Sequence, residues 1–388
     1  MAFFGNGAVN RVNIHAGIVA LANGAGGIFF MAVLLKAGLS LPEALAAQAA
    51  IFAGRFVLRP LIVPLGVRWG LKPLMFIGTF GMALQFPVLP AVNGVGPALL
   101  VLVVVTAVSE VFYFAAYHTY FATVGDVEAR GSQIAAREAM MAAANVVAPL
   151  LGAWALVAAG PWFTFIGVAI IQALAAVPLI GVRNVSVVAE APGVLRAARL
   201  GGILFGLDGW YGANNLFFWQ SLLFLTLGSD YAAFGGAMAL AGLAGAAYGL
   251  LHGRRIDAGH GRSAVVVAFS MAAAVIIFRA VSLPYPWLAV LANAAAALVS
   301  PLYQPAQGTA LYNIGRAAPC PFRFNIALEG AWDSGCVLFC LVAAGLISLG
   351  VSPRLVMLLA LPGLATAASL LWRYYQRIMD AGLVEAAA

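Results

Sequence analysis

An all-α polytopic membrane protein is the fold class this sequence predicts, on three observations. Of 388 residues, 64% are hydrophobic and only 9% are charged, and the mean hydropathy is +1.00. A soluble domain carries about 25% charged residues, so this chain cannot cover a water-facing surface. The apolar residues also run on without interruption, and a spanning helix needs roughly 20 of them. Strands of a membrane barrel would instead alternate over about ten residues.

The runs give twelve segments, with the charges on their connections. The first, 13–37, follows Arg11 and closes at Lys36. The second, 42–66, ends before Arg68, and the third, 72–91, opens at Lys72. The fourth, 96–123, and the fifth, 133–159, flank Arg130. The sixth, 161–182, stops before Arg183, and the seventh, 199–228, opens at Arg199. The eighth, 232–254, ends at Arg254 and Arg255, and the ninth, 262–282, opens at Arg262. The tenth, 285–312, precedes Arg316, the eleventh, 323–350, opens at Arg323, and the twelfth, 353–375, ends at Arg373 and Arg377.

With the N-terminus inside, all these arginines, Lys72 and Arg196 fall on one side, and only Lys36, Arg279 and Arg354 fall on the other. Positively charged loops stay in the cytoplasm, which predicts a multi-pass protein of a bacterial-type inner (plasma) membrane with both termini cytoplasmic. The net charge of +7 forms no contiguous basic face, which excludes nucleic acid as a partner and leaves anionic lipid. The first segment is too long for a cleavable signal. Cys320, Cys336 and Cys340 have neither disulfide-framework nor metal-knuckle spacing and read as packing residues.

The chain repeats itself. GAGGIFF (24–30) matches GANNLFF (212–218) at an offset of 188. LGVRWGLK (65–72) and GRRIDAGHGR (253–262) follow the second and eighth segments. Thr119 matches Thr309 and Glu138 matches Glu329, at offsets of 190 and 191. The pattern predicts two parallel, pseudo-symmetric six-helix bundles, 1–182 and 199–388, joined by a cytoplasmic linker at 183–198.

Two such halves, with a Gly/Arg/Asp loop after each second helix, resemble the major facilitator superfamily of secondary transporters over the whole chain. Gly253-Arg254-Arg255-Ile256-Asp257-Ala258-Gly259-His260-Gly261-Arg262 looks like the family's G-x-x-x-D-R-x-G-R-K loop, one residue longer and without the Arg after Asp. In the first-half copy Val67 stands where the Asp belongs, ahead of Arg68, Gly70 and Lys72. Pro149-Leu150-Leu151-Gly152 resembles the tail of the G-P-x-x-G-G motif of proton-driven exporters, with Ala148 in place of the Gly.

The resemblance implies alternating access around a midplane cavity lined by the first, fourth, seventh and tenth helices. It also implies a cytoplasmic gate. Arg254, Asp257 and Arg262 would latch onto Arg137 and Glu138 of the fifth helix, and Glu329 of the eleventh would face the first-half loop. Physically, Gly permits the tight turn and Asp257 suits a helix N-terminus. The competing reading is an ordinary surface ion pair.

Charges within a bilayer face a cavity or each other. The midplane offers Asn23, Arg55, Glu110, Asn145, Asn214, Asn215, Trp219, Gln220, Tyr303, Gln304, Gln307 and Asp333, with Asp208 lower on the seventh segment. Glu110, Phe114 and His118 share one helix face, flanked by Tyr113 and Tyr117. A carboxyl at that depth is costly to keep ionised, so Glu110 is a candidate proton-coupling site, with His118 beside it. A buried Glu110–Arg55 pair is the alternative reading, and the two can coexist. Asp208 and Asp333 are the second coupling candidates, placed to hold a cation between them. The amides, Arg55, Tyr113, Tyr117, Trp219 and Tyr303 are candidate substrate contacts. Trp210, Tyr211 and Trp332 join an aromatic wall.

His15 and His260 read as interfacial or loop residues, and His252 as the same. No two methionines stand four apart, and His252 has no Met four residues on, which leaves a metal substrate unsupported. Neither a phosphate cradle nor a catalytic constellation is present, so no cofactor and no enzyme activity is expected. The expected function is secondary transport of a small amphipathic or polar solute, coupled to protons, with efflux ahead of uptake of a metabolite or metal complex. A receptor or scaffold on the same fold is the reading from another class. The small-residue run Gly235–Gly249 permits close packing within one chain or in a dimer, and a monomer is favoured.

Overall fold

A computed structural model describes residues 6–124, 130–256 and 261–380, with the side chains of 122, 130–136 and 250–256 outside the description. All regular elements among the described residues are helical. α1 is Gly7–Lys36. It opens at Asn6, whose side chain accepts from the amides of Ala8 and Val9, and tightens into a 3₁₀ turn at Gly27–Phe29. α2 (Leu41–Trp69) starts in a capping box between Ser40 and Glu43, which satisfies two otherwise unpaired amides. α3 is Leu71–Ala91, α6 is Gly160–Ile180, α4 is Pro97–Val124 and α5 is Arg130–Ala158. A single helical turn, Val194–Ala197, interrupts the linker.

α7 covers 199–226 and is divided by a five-residue π turn at Asn214–Phe218. α8 is Tyr231–Ile256 and α9 is Gly261–Ser282. α10 is Pro286–Arg316 and α12 is Pro353–Asp380, while α11 is Pro321–Ser348. Eleven of these are long and apolar enough to span a membrane on length and composition. The remaining one of the twelve expected, the seventh at 199–228, is present as the helical run 199–226, divided at its π turn.

Two crossings join the first six helices to the last six: α2 against α11, and α5 against α8. Close approach is possible because the contact residues are small. A Cβ on Gly242 of α8 would lie 2.4 Å from the Asn145 carbonyl oxygen of α5. Gly235 likewise meets the Pro149 carbonyl. The small-residue run expected to serve packing therefore does so within this chain. Gly152, from the exporter-like motif, gives α5 its approach to the Ala25 carbonyl of α1.

Phe29 of α1 meets Phe234 and Tyr231 of α8, and both of these meet Phe224 of α7. Lys36 lies 5.9 Å over the Tyr231 ring. These contacts join the two sets of helices at the face opposite the termini.

Candidate functional site

α2 places Arg55 and Arg59 one turn apart on one face. α11, running antiparallel, places Glu329 and Asp333 one turn apart on the face it turns to α2. The result is a lattice of ion pairs in the interior. Arg55 lies 2.9 Å from Asp333 and 3.5 Å from Glu329. Arg59 lies 2.5 Å from Asp333 and 3.3 Å from Glu329. From α4, Glu110 accepts from Arg55 at 2.6 Å, and His118 Nε2 stands 3.7 Å from Glu329. The rings of Phe52, Phe114 and Trp332 enclose the Arg55 guanidinium at 4.9, 5.4 and 5.7 Å.

Two guanidinium groups face three carboxyls. With all five ionised, the lattice carries one negative charge in excess, in surroundings where an unpaired charge is expensive. Its members differ in access. Asp333 has no side-chain exposure, and the arginines have 3–4%. Glu110 shows 20%, Glu329 12% and His118 48%. The lattice is thus reached from the α4 side.

Glu110, His118, Asp333 and Arg55, singled out from the sequence, meet here together with Glu329. Two expectations about these residues are corrected. Asp333 is engaged by two arginines, so it does not hold a cation with Asp208. Glu329 does not face the first-half loop, because it is drawn inward by Arg55 and Arg59. That loop is instead bound by its own half: Asn184 bridges Trp69 and Lys72, and Lys72 donates to the carbonyls of Ile180 and Val182. Arg59, which the reading of the midplane left out, completes the lattice. Its signal was the four-residue spacing from Arg55, matched by Glu329 and Asp333 on another segment.

His15 is fully buried, which corrects its reading as an interfacial residue. Its Nδ1–H donates to the Ala175 carbonyl at 2.7 Å, and its Nε2 accepts from the Tyr113 hydroxyl at 2.8 Å. Tyr113 is thereby turned toward α1, and Tyr117 stacks on it at 5.4 Å; both are buried. Arg137 pairs with its neighbour Glu138 at 2.7 Å and lies over Phe121 at 4.8 Å. Arg262 lies 4.4 Å over Trp372 of α12 rather than on α5. Asp257 and the side chain of Arg254 lie outside the described residues, as do His260 and the side chain of His252.

In the second half Tyr303 donates to Asp208 at 2.8 Å. The Tyr303 ring meets Tyr211 at 5.3 Å and Phe269 at 4.8 Å. Asn214 is buried and donates to the Met357 carbonyl in α12. Trp219 is buried too, and donates to Asn293. Gln307 is buried, Gln220 is half-buried, and Asn23, Asn145 and Gln304 are exposed. Asn215 accepts from Arg279. Arg279, expected outside the membrane from its place at the end of the ninth segment, is buried in the bundle at 2% exposure.

The solved structure of the human organic anion transporter MFSD10 (TETRAN) superposes with a TM-score of 0.68, at 15% identity over 94% of this chain and 99% of that one. That likeness shows the fold. No curated protein matches the chain in sequence. The family model described as Major Facilitator Superfamily matches residues 15–319. With its helical bundle and that match over most of its length, the chain belongs to the major facilitator superfamily of membrane transporters.

Proposed function

We propose that this transporter couples the movement of a small organic solute to protons through the α2–α4–α11 lattice. The observation that carries the reading is the lattice's charge count, two arginines against three carboxyls, at the crossing between the first six helices and the last six. One proton on a carboxyl, or on His118, balances it. The count also changes when the halves part. The first six helices keep Arg55, Arg59 and Glu110, one positive charge in excess. α11 keeps Glu329 and Asp333, two negative charges without partners. Parting therefore costs least when a proton passes to the α11 carboxyls. We assign its entry to Glu110, 20% exposed beside Arg55; as the proton leaves, Glu110 regains its charge and stays paired with that arginine. That ties the conformational step to proton binding, as a ligand favouring one state shifts the balance between two.

We place the termini in the cytoplasm on the charge distribution. The 149–152 resemblance favours efflux, with uptake of a metabolite as the alternative. The test is proton movement in proteoliposomes carrying an internal pH dye, challenged with drugs, sugars, amino acids and organic acids. A carried solute is expected to shift the dye signal saturably, in a direction that distinguishes exchange from co-transport. A solute that exchanges in counterflow without moving protons would overturn the coupling and leave transport standing.

A further inference from the structure

Arg279 stands apart from the other arginines within the spans. It is 98% buried, yet no carboxyl pairs with it among the described residues. Its Nη1 donates to the Asn215 amide oxygen, and its Nε–H has no partner. Its guanidinium lies 4.6 Å over the Trp219 ring, and Trp219 is itself pinned by Asn293 at 2.9 Å. A buried arginine held in place on one edge and left open on the other is costly to keep.

The backbone beside it is also unusual. Asn215 belongs to the π turn Asn214–Phe218 that divides α7, and such turns recur at functional sites. One turn before it, Tyr211 is half-buried and begins the aromatic row that continues through Tyr303 to Phe269.

We propose that Arg279 and the π turn of α7 form a subsite for the carboxylate of the transported solute, with the Tyr211–Tyr303 row receiving its aromatic or apolar body. The inference rests on the transport reading and names the solute's class. A carboxylate supplies what Arg279 lacks: a negative charge and two acceptors for the open edge of the guanidinium. Asn215, on Nη1, and Trp219, under the guanidinium plane, hold the group in position before the solute arrives, which lowers the cost of binding.

The test is equilibrium binding of radiolabelled benzoate to the purified full-length protein in nanodiscs of zwitterionic lipid, with no pH gradient. Saturable binding is expected, with competition by 2-naphthoate and competition at least about tenfold weaker by benzamide. Arg279→Gln is expected to lose binding by at least about tenfold while its melting temperature stays level or rises, because an unpaired buried charge has gone. An arginine serving structure alone would show the reverse, a fall in melting temperature with binding unchanged. Should Arg279→Gln not purify, Arg279→Lys carries the test: it keeps the charge without the fork and is expected to lose most of the affinity.

The subsite is overturned if no carboxylate binds wild type, if benzamide competes as well as 2-naphthoate, or if Arg279→Gln still binds. Displacement of benzoate by added phosphatidylglycerol would also overturn it, by assigning the arginine to a lipid headgroup. Carboxylate binding that persists where solute flux moves no protons would refute the coupling reading and uphold this one.

Discussion

Two kinds of buried arginine divide this molecule. Arg55 and Arg59 of α2 stand in a lattice with more carboxyls than cations. Arg279 of α9 stands behind an amide and an indole, with no carboxyl beside it among the described residues. The first region has an excess negative charge that a proton can balance. The second has an excess positive charge that a proton cannot balance and an anion can. Under the two proposals above, the difference places the two parts of a coupled transport cycle apart: proton binding at the α2–α11 crossing, solute charge where α7 meets α9.

The comparison can be broken most severely at Arg55. Arg55→Gln leaves Arg59 alone against three carboxyls, and removing one partner of a buried pair costs about 3–5 kcal/mol. A large fall in thermal stability at neutral pH, partly recovered at lower pH as the carboxyls are protonated, is expected from melting curves. A smaller change of opposite sign is expected in the other region. Asn215→Asp gives Arg279 the counter-ion it lacks, turning the second region into a copy of the first. Stability should rise by about 1 kcal/mol, the scale of a charge-assisted hydrogen bond, while benzoate binding is lost. Binding that survives Asn215→Asp would show that the open arginine is not the anion site.

Between these lies the crossing itself. Gly242→Leu would force a side chain into the Asn145 carbonyl, and overpacking of this kind costs about 1–3 kcal/mol. Transport should fall with stability, equally for every solute. The smallest effect belongs to His118→Ala. Its side chain is 48% exposed and 3.7 Å from Glu329, and exposed pairs contribute about 0–1 kcal/mol. Stability should hardly move, and a shift in the pH dependence of transport would show that the imidazole shares the proton.

How much of this was legible in the sequence follows the same division. The helices were legible because hydropathy is a local property, and only the π turn hid within its run, traced by nothing more than the Asn214–Asn215 pair. Glu110 and Arg55 were legible because a lone charge in an apolar run stands out. Arg59 was missed although its spacing from Arg55 copies that of Glu329 and Asp333. Seeing that match matter requires knowing that α2 faces α11, which is a tertiary fact. Arg279 was misplaced for a related reason. Counting charges at segment ends assigns a residue by depth alone, whereas its helix face decides whether it reaches water or Trp219. His15 failed in the same way: its depth looks interfacial, and its partners, Tyr113 and Ala175, are about a hundred or more residues away.

The central claim is that the α2–α4–α11 lattice carries the coupling proton, and Glu110→Gln tests it most directly. The substitution removes the excess negative charge while keeping the shape and a hydrogen-bond acceptor for Arg55. Wild type and variant would be compared in proteoliposomes for solute flux driven by a pH gradient and for counterflow without one. The account predicts that Glu110→Gln keeps counterflow and loses the response to the gradient. A variant that still follows the gradient as wild type does would contradict it.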